Sequence, residues 1–250
     1  MDFKGQFRFN YTEDFRVACA INNLKYKDVL QYFVDNVSFY AFNGGDMEPV
    51  ILWATDIIID CREAIDQEIE PEKDQKVRRI ALKYILLLNE LSEGMKLSPS
   101  AKLKESVTLM EEWKQEAQPY SKDVESFPLD DTNAVKLTFD FIQVCKMNGV
   151  TVAQALQYYI DHISLPQDKA VNLLEYVNTH PCMALFGTMM SVHSSKIEKI
   201  PVTHDIQLLF AKRLLLLDEA LKEEDNVAKR IVKYREFYAE WHAALRKYTN

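Results

Sequence analysis

Gln31, Asp35 and Ser38 fall at i, i+4 and i+7, and the same three residue types return at Gln157, Asp161 and Ser164. Helix geometry stacks each trio along one face. Two such rows read as pseudo-symmetric polar patches that bind a shared protein partner or pair with each other across the repeat. These six are the candidate partner-binding residues. The plainer reading is a solvated face in which the Asp and Ser side chains cap the following turn.

Other residues group by chemistry. Asp56, Asp60 and Glu63 share a helical face and could present carboxylates to a metal, but no Glu-x-x-His partner exists, so a solvated acidic face is expected instead. His162, His180, His193, His204 and His242 show no ligand spacing. No G-x-S-x-G, Walker A or G-x-G-x-x-G sequence occurs. No catalytic residue, cofactor or metal is therefore assigned, and a Ser-His-Asp arrangement assembled in space is left open. The segment FIQVCKMNGVTVAQALQYYIDHI has a helix-turn-helix cadence. A DNA-reading helix needs Arg, Lys, Asn or Gln near its start, and this one offers only Gln154 and Gln157, with Lys25 and Lys27 in the earlier copy. An αα-hairpin is expected. The C-terminal stretch carries Lys229, Arg230, Lys233, Arg235, Arg246 and Lys247 among aromatics, the composition of a base-stacking surface. Tyr234, Tyr238, Trp241 and Tyr248 nevertheless fall on the stripe expected to be buried.

The polar trios belong to a longer match. DFRVACAINNLKYKDVLQYFVDNVS (14–38) and DFIQVCKMNGVTVAQALQYYIDHIS (140–164) share nine of 25 positions without a gap, among them Asp14/Asp140, Phe15/Phe141, Cys19/Cys145, Asn22/Asn148 and Ser38/Ser164. KYILLLNEL (83–91) is echoed by KRLLLLDEAL (212–221), and Trp113 by Trp241. The order of features is the same in both halves, which reads as a duplicated unit of about a small domain's length. The halves differ in one place: Ser38 to Pro49 is 11 residues, whereas Ser164 to Pro181 is 17.

Helical periodicity positions these residues. One stripe holds Val77, Ile80, Ala81, Tyr84, Leu87, Leu88 and Leu91. Another holds Leu103, Val107, Met110 and Ala117, with Trp113 at its edge. Ile206, Leu209, Phe210, Leu214, Leu217 and Leu221 form a third. Thr12 reads as an N-cap, Gly149 as a helix end, and Pro49, Pro71, Pro99, Pro166, Pro181 and Pro201 as helix starts. Helices are expected near 13–23, 26–42, 49–68, 72–94, 99–117, 132–148, 151–164, 167–178, 181–196, 203–223 and 226–247. A short extended segment is expected at 5–11, a turn at NGGD (43–46), and a polar linker at 121–131.

Composition sets the outer limits. With 48% apolar residues and only six glycines in 250, long helices and a large core are expected rather than turn-rich β structure or disorder. Thirty basic and 38 acidic residues give a net charge of −8, which disfavours general nucleic-acid coating. MDFKGQFRFNYTED has no apolar h-region, and no run reaches the ~20 apolar residues of a membrane span. Cys19, Cys61, Cys145 and Cys182 are far apart with apolar neighbours, so reduced thiols and a cytoplasmic address are expected.

The sequence thus predicts an all-α, helical bundle-like protein of two tandem homologous units with about five helices each, at 1–122 and 132–250, joined by a linker at 123–131. The expected role is a non-catalytic intracellular interaction or regulatory module with a protein partner and no membrane contact. A nucleic-acid-associated factor and an enzyme with a site between the units are the alternatives.

Overall fold

A computed structural model describes residues 8–38, 48–65, 75–94, 97–120, 126–130, 132–173, 179–194 and 201–249. Among these the chain is almost wholly helical, as its periodicity predicts. The helices in chain order are α1 (Glu13–Ile21), α2 (Tyr26–Asn36), α3 (Pro49–Ala64), α4 (Gln75–Glu93), α5 (Pro99–Ala117), α6 (Phe139–Met147), α7 (Val152–Asp161), α8 (Leu165–Asn172), α9 (Pro181–Ser194), α10 (Pro201–Leu221) and α11 (Val227–Thr249).

The helix expected from residue 132 is corrected. Ser126–Pro128 (β1) pairs antiparallel with Ala134–Lys136 (β2), with Phe127 opposite Val135. Both of those side chains are buried. The connecting turn is closed by Asp130, whose Oδ1 accepts from the backbone N–H groups of Thr132 (2.7 Å) and Asn133 (2.8 Å). The side chain of Asn133, then the backbone N–H of Thr132, hold this carboxyl at about 2. An Asx-type turn between two short buried-alternating runs favours a hairpin over a helix start, and α6 begins only at Phe139. At the extended segment expected over 5–11, residues 8–11 are not a strand. Residues 5–7, the NGGD turn, and the expected helical stretches 39–42, 66–68, 72–74, 174–178 and 195–196 lie outside the described residues.

The chain forms two compact units that do not follow sequence order. One is built on Leu30–Tyr158, the other on Phe9–Val29 with Tyr159–Asn250. These boundaries do not coincide with the expected division at 123–131. Helix α1 belongs with the later part of the chain, and α6 with the earlier part.

In the first of these units α6 packs on α3, and α4 runs along α5. Phe33 meets Phe141 edge-to-face at 5.4 Å, and Ile57 and Ile58 of α3 are fully buried. On the α4–α5 pair Tyr84 stacks on Trp113 with centroids 5.8 Å apart. The buried stripe of α5 is Ser106, Met110, Trp113 and Ala117. Leu103 and Val107, expected inside, are exposed, and Trp113, expected at the edge, is central.

In the second unit α11 packs against α8, α1 and α10. Its stripe of Tyr234, Phe237, Tyr238, Trp241 and Leu245 closes over Val17, Ile21, Ala170 and Phe210. Polar ties fix the register: Asp218 accepts from Lys169 (2.9 Å) and from the Tyr234 hydroxyl (2.8 Å), and Gln207 donates to the Ile21 carbonyl (2.7 Å).

The local construction of α1 and α6 is the same. Thr12 caps α1 by accepting from Phe15 N–H (3.2 Å), and Thr138 caps α6 by accepting from Phe141 N–H (3.1 Å). Each helix ends in a Schellman motif: Leu24 N–H donates to the Cys19 carbonyl and Val150 N–H to the Cys145 carbonyl, both at 2.9 Å. The left-handed residue is Asn23 (φ 51°) in one and Gly149 (φ 63°) in the other. Gly149→Ala is expected to destabilise by about 1 kcal/mol through the Cβ cost of that conformation. Asn23→Gly should change stability by no more than a few tenths of a kcal/mol. Urea unfolding followed by circular dichroism measures both.

Candidate functional site

The six sequence-derived candidates are placed unequally. Gln31 and Asp35 are hydrogen-bonded to each other at 2.8 Å on α2. Gln31 also binds the Lys136 backbone in both directions, donating to its carbonyl (2.9 Å) and accepting from its N–H (2.8 Å), so its amide extends the edge of β2. Ser38 donates to Asp140 Oδ2 at 3.0 Å, and buried Thr55 bonds both the Ser38 N–H and its carbonyl. Gln157 is half-buried and Asp161 exposed. Ser164 is buried; its hydroxyl donates to Asp14 Oδ2 at 2.6 Å and accepts from the Gln167 N–H, capping α8.

Asp14 and Asp140 are thus the partners of the two repeated serines, and they escape a search confined to one helical face. The signal was in the matched segments themselves, where the two aspartates and the two serines are among the identities. Each aspartate lies in the first turn of a short helix, where a carboxylate suits the helix dipole. Asp14 carries more than its counterpart: Arg235 on α11 grips it with two hydrogen bonds, Nε to Oδ1 at 3.0 Å and Nη2 to Oδ2 at 2.8 Å. Burial pushes the Asp14 carboxyl up, and the hydrogen bonds from Arg235 and Ser164 outweigh it, leaving the group below the ordinary carboxylate range. The Ser164 hydroxyl has one proton to donate and directs it to a carboxylate, which is not the arrangement of an imidazole-activated nucleophile.

Beside Ser164 lies a pocket of about 200 Å³ lined by His162, Ser164, Asp168, Asn172, His180 and Met183, together with Gln167 and Val171. The His162 and His180 rings stack at 4.8 Å, 12° from parallel. His180 Nδ1 accepts the N–H of Cys182 (3.2 Å) at the start of α9, so when neutral this imidazole carries its proton on Nε2.

The remaining constellations are accounted for locally. Gln154, one of two possible base readers on α7, is turned back on Thr151 in a capping box: its Oε1 accepts from the Thr151 N–H (2.9 Å) and hydroxyl (2.8 Å), while Thr151 Oγ1 accepts from the Gln154 N–H. On α11, Lys229 pairs with Glu224, Lys233 with Glu236 and Arg235 with Asp14, and Arg230 is buried. Tyr234, Tyr238 and Trp241 are buried too, so they offer no stacking surface. Asp56 on α3 is raised by burial and then by the charge of Asp60, but among the described residues no three His, Cys, Asp or Glu side chains converge as a metal site. The four cysteines are free and buried; burial raises the Cys61 thiol to about 11 and those of Cys19 and Cys145 further. Among the described residues no helix is long and apolar enough to cross a membrane. No family model, curated protein or solved structure matches the chain.

A group whose folded pKa lies below its unfolded value stabilises the fold above the unfolded pKa, and that contribution disappears as pH falls through the folded value. For Asp14 the window lies below about pH 4. Because Arg235 is half exposed, solvent screening trims the pair. Asp14→Asn is expected to cost about 1–2 kcal/mol at pH 7. Melting temperatures of wild type and variant, recorded from pH 7 down to about pH 2, should converge at the acid end.

Proposed function

We propose that this chain is a non-catalytic, cytoplasmic interaction module built from a duplicated helical unit, and that α10 is the element it offers to a protein partner. The observation that carries this reading is a row of exposed leucines. Leu208 (48% exposed), Leu209 (55%), Leu215 (69%) and Leu216 (72%) stand on the face of α10 opposite Phe210, which is buried. The periodicity placed Leu209 inside; it is outside. Single exposed leucines are ordinary on protein surfaces, whereas two adjacent pairs on one helix face form a patch. The pairs are seven residues apart, the spacing at which one α-helix receives the apolar seam of another. The partner is accordingly a protein presenting an amphipathic helix.

The partner face is assigned to α10 rather than to Gln31, Asp35, Ser38, Gln157, Asp161 and Ser164 because Gln31, Ser38 and Ser164 already direct their hydrogen bonds inward. The duplication is supported by the nine shared positions, by the matching caps and Schellman ends of α1 and α6, and by the reciprocal serine–aspartate pairs. The paired cations of α11 and the capped Gln154 count against a nucleic-acid role.

Leu209→Glu combined with Leu216→Glu alters side chains already in water, so each change should move stability by no more than about 0.5 kcal/mol. Purified wild type should form a 1:1 complex with the protein it captures from cells, and the double variant should not. Equal capture by both, or wild-type self-association that the variant abolishes, overturns the assignment.

A further inference from the structure

Helix α4 carries a second ordered face, on the side away from α5. Its buried stripe is Ile80, Tyr84 and Leu88, with Tyr84 stacked on Trp113 of α5. Arg78, Leu82, Leu86 and Glu90 follow one another at i, i+4, i+8 and i+12, so they form one ridge on the side of the helix opposite that stripe. All four are exposed, the two leucines by more than half. Arg79 and Glu93, also exposed, flank the ridge at its two ends. A single exposed leucine is ordinary, whereas two on successive turns, bracketed by opposite charges, make an ordered pattern.

Charge and order together indicate what covers this face. Lys83 is paired with Glu116 of α5, whereas among the described residues Arg78, Arg79, Glu90 and Glu93 make no ion pair. Glu90 and Glu93 stand in the last turn of α4, where the helix dipole disfavours anions, and no basic residue shares that turn. Cations brought from outside would offset both. Read backwards, the ridge Arg–Leu–Leu–Glu becomes Glu–Leu–Leu–Arg at the same spacing. It is therefore complementary to itself when two copies run antiparallel. A twofold axis through its centre sets Leu82 of one copy against Leu86 of the other and Arg78 against Glu90, and makes each contact twice. A phosphate-rich surface, membrane or nucleic acid, would suit the arginines but meet the glutamates at the other end.

We propose that α4 is a homodimer contact, in which two copies of this chain pair antiparallel through the ridge of Arg78, Leu82, Leu86 and Glu90, with Arg79 and Glu93 completing the charged ends. The contact is separate from the leucine patch of α10. One helix face is small beside the ~800 Å² per partner of a standard interface, so the dimer is weak, with a Kd of about 10–100 µM.

Analytical ultracentrifugation of the full chain from about 5 to 500 µM, in about 50 mM salt where surface charges are lightly screened, should show a monomer–dimer equilibrium. Two doubly substituted variants, Arg78→Glu with Arg79→Glu and Glu90→Arg with Glu93→Arg, set like charges against each other. Each should weaken self-association at least about tenfold. Mixed in equal amounts they should pair with one another to within about threefold of wild type, because every charged contact is then between opposite signs. The changes fall on exposed side chains, and circular dichroism melts confirm that both variants remain folded. Leu209→Glu combined with Leu216→Glu on α10 should dimerise as wild type does. A chain that stays monomeric over the whole range, unchanged dimerisation of either charge variant, no pairing on mixing, or loss of the dimer in the α10 variant would each overturn the proposal.

Discussion

A serine hydroxyl has a single proton to donate, and in each compact unit that proton goes to an aspartate more than a hundred residues away. Ser38 reaches Asp140 at a sequence separation of 102, and Ser164 reaches Asp14 at 150. The aspartates stand in the first turns of α6 and α1, two residues past the threonine caps. One short bond thereby sets where the beginning of a helix sits against the segment following another. The apolar core follows from that placement, because Phe15 and Phe141 are each one residue past the aspartate and both are fully buried. In the second unit the same carboxylate also receives Arg235, so α11 is referenced to the same point.

Around that reference the two units develop differently. The α4–α5 pair is held by Tyr84 on Trp113 and by Glu116, which accepts from Lys83 and from the Tyr84 hydroxyl. The α10–α11 pair uses a bidentate Arg213–Glu240 contact, with the guanidinium also lying over Phe210, and adds α8 and α1 to its packing. The longer connection between Ser164 and Pro181 supplies both α8 and the pocket. What distinguishes the second unit chemically therefore arises from the stretch that the first does not match in length.

The all-helical class, the start of α5 at Pro99 and the capping role of Thr12 were legible because each is a local property: spacing, a missing N–H, a hydroxyl at the right offset. The hairpin at 126–136 was not, since three-residue strands are too short for alternation to stand out from a polar connection. Leu209 and Leu103 were misassigned for a different reason. Leu208, Leu209 and Phe210 supply apolar residues to several faces of one helix, and Leu103 fits the period of its own; only tertiary packing decides which of them is covered. The serine–aspartate pairs were half legible: the repeated letters were visible, but nothing in a one-dimensional match says that a serine of one matched segment seeks the aspartate of the other.

The interleaved membership of the units has a consequence for biosynthesis. Helix α1 is translated more than two hundred residues before α11, on which it packs. Phe15 meets Tyr11 and Tyr26 locally, but Val17 and Ile21 pack in the α11 cluster and lack that cover until then. Contacts of that span close slowly and leave apolar surface open in the interval. A nascent chain with this wiring therefore keeps that face open until α11 is made, and a premature stop before α11 strands α1 without that contact.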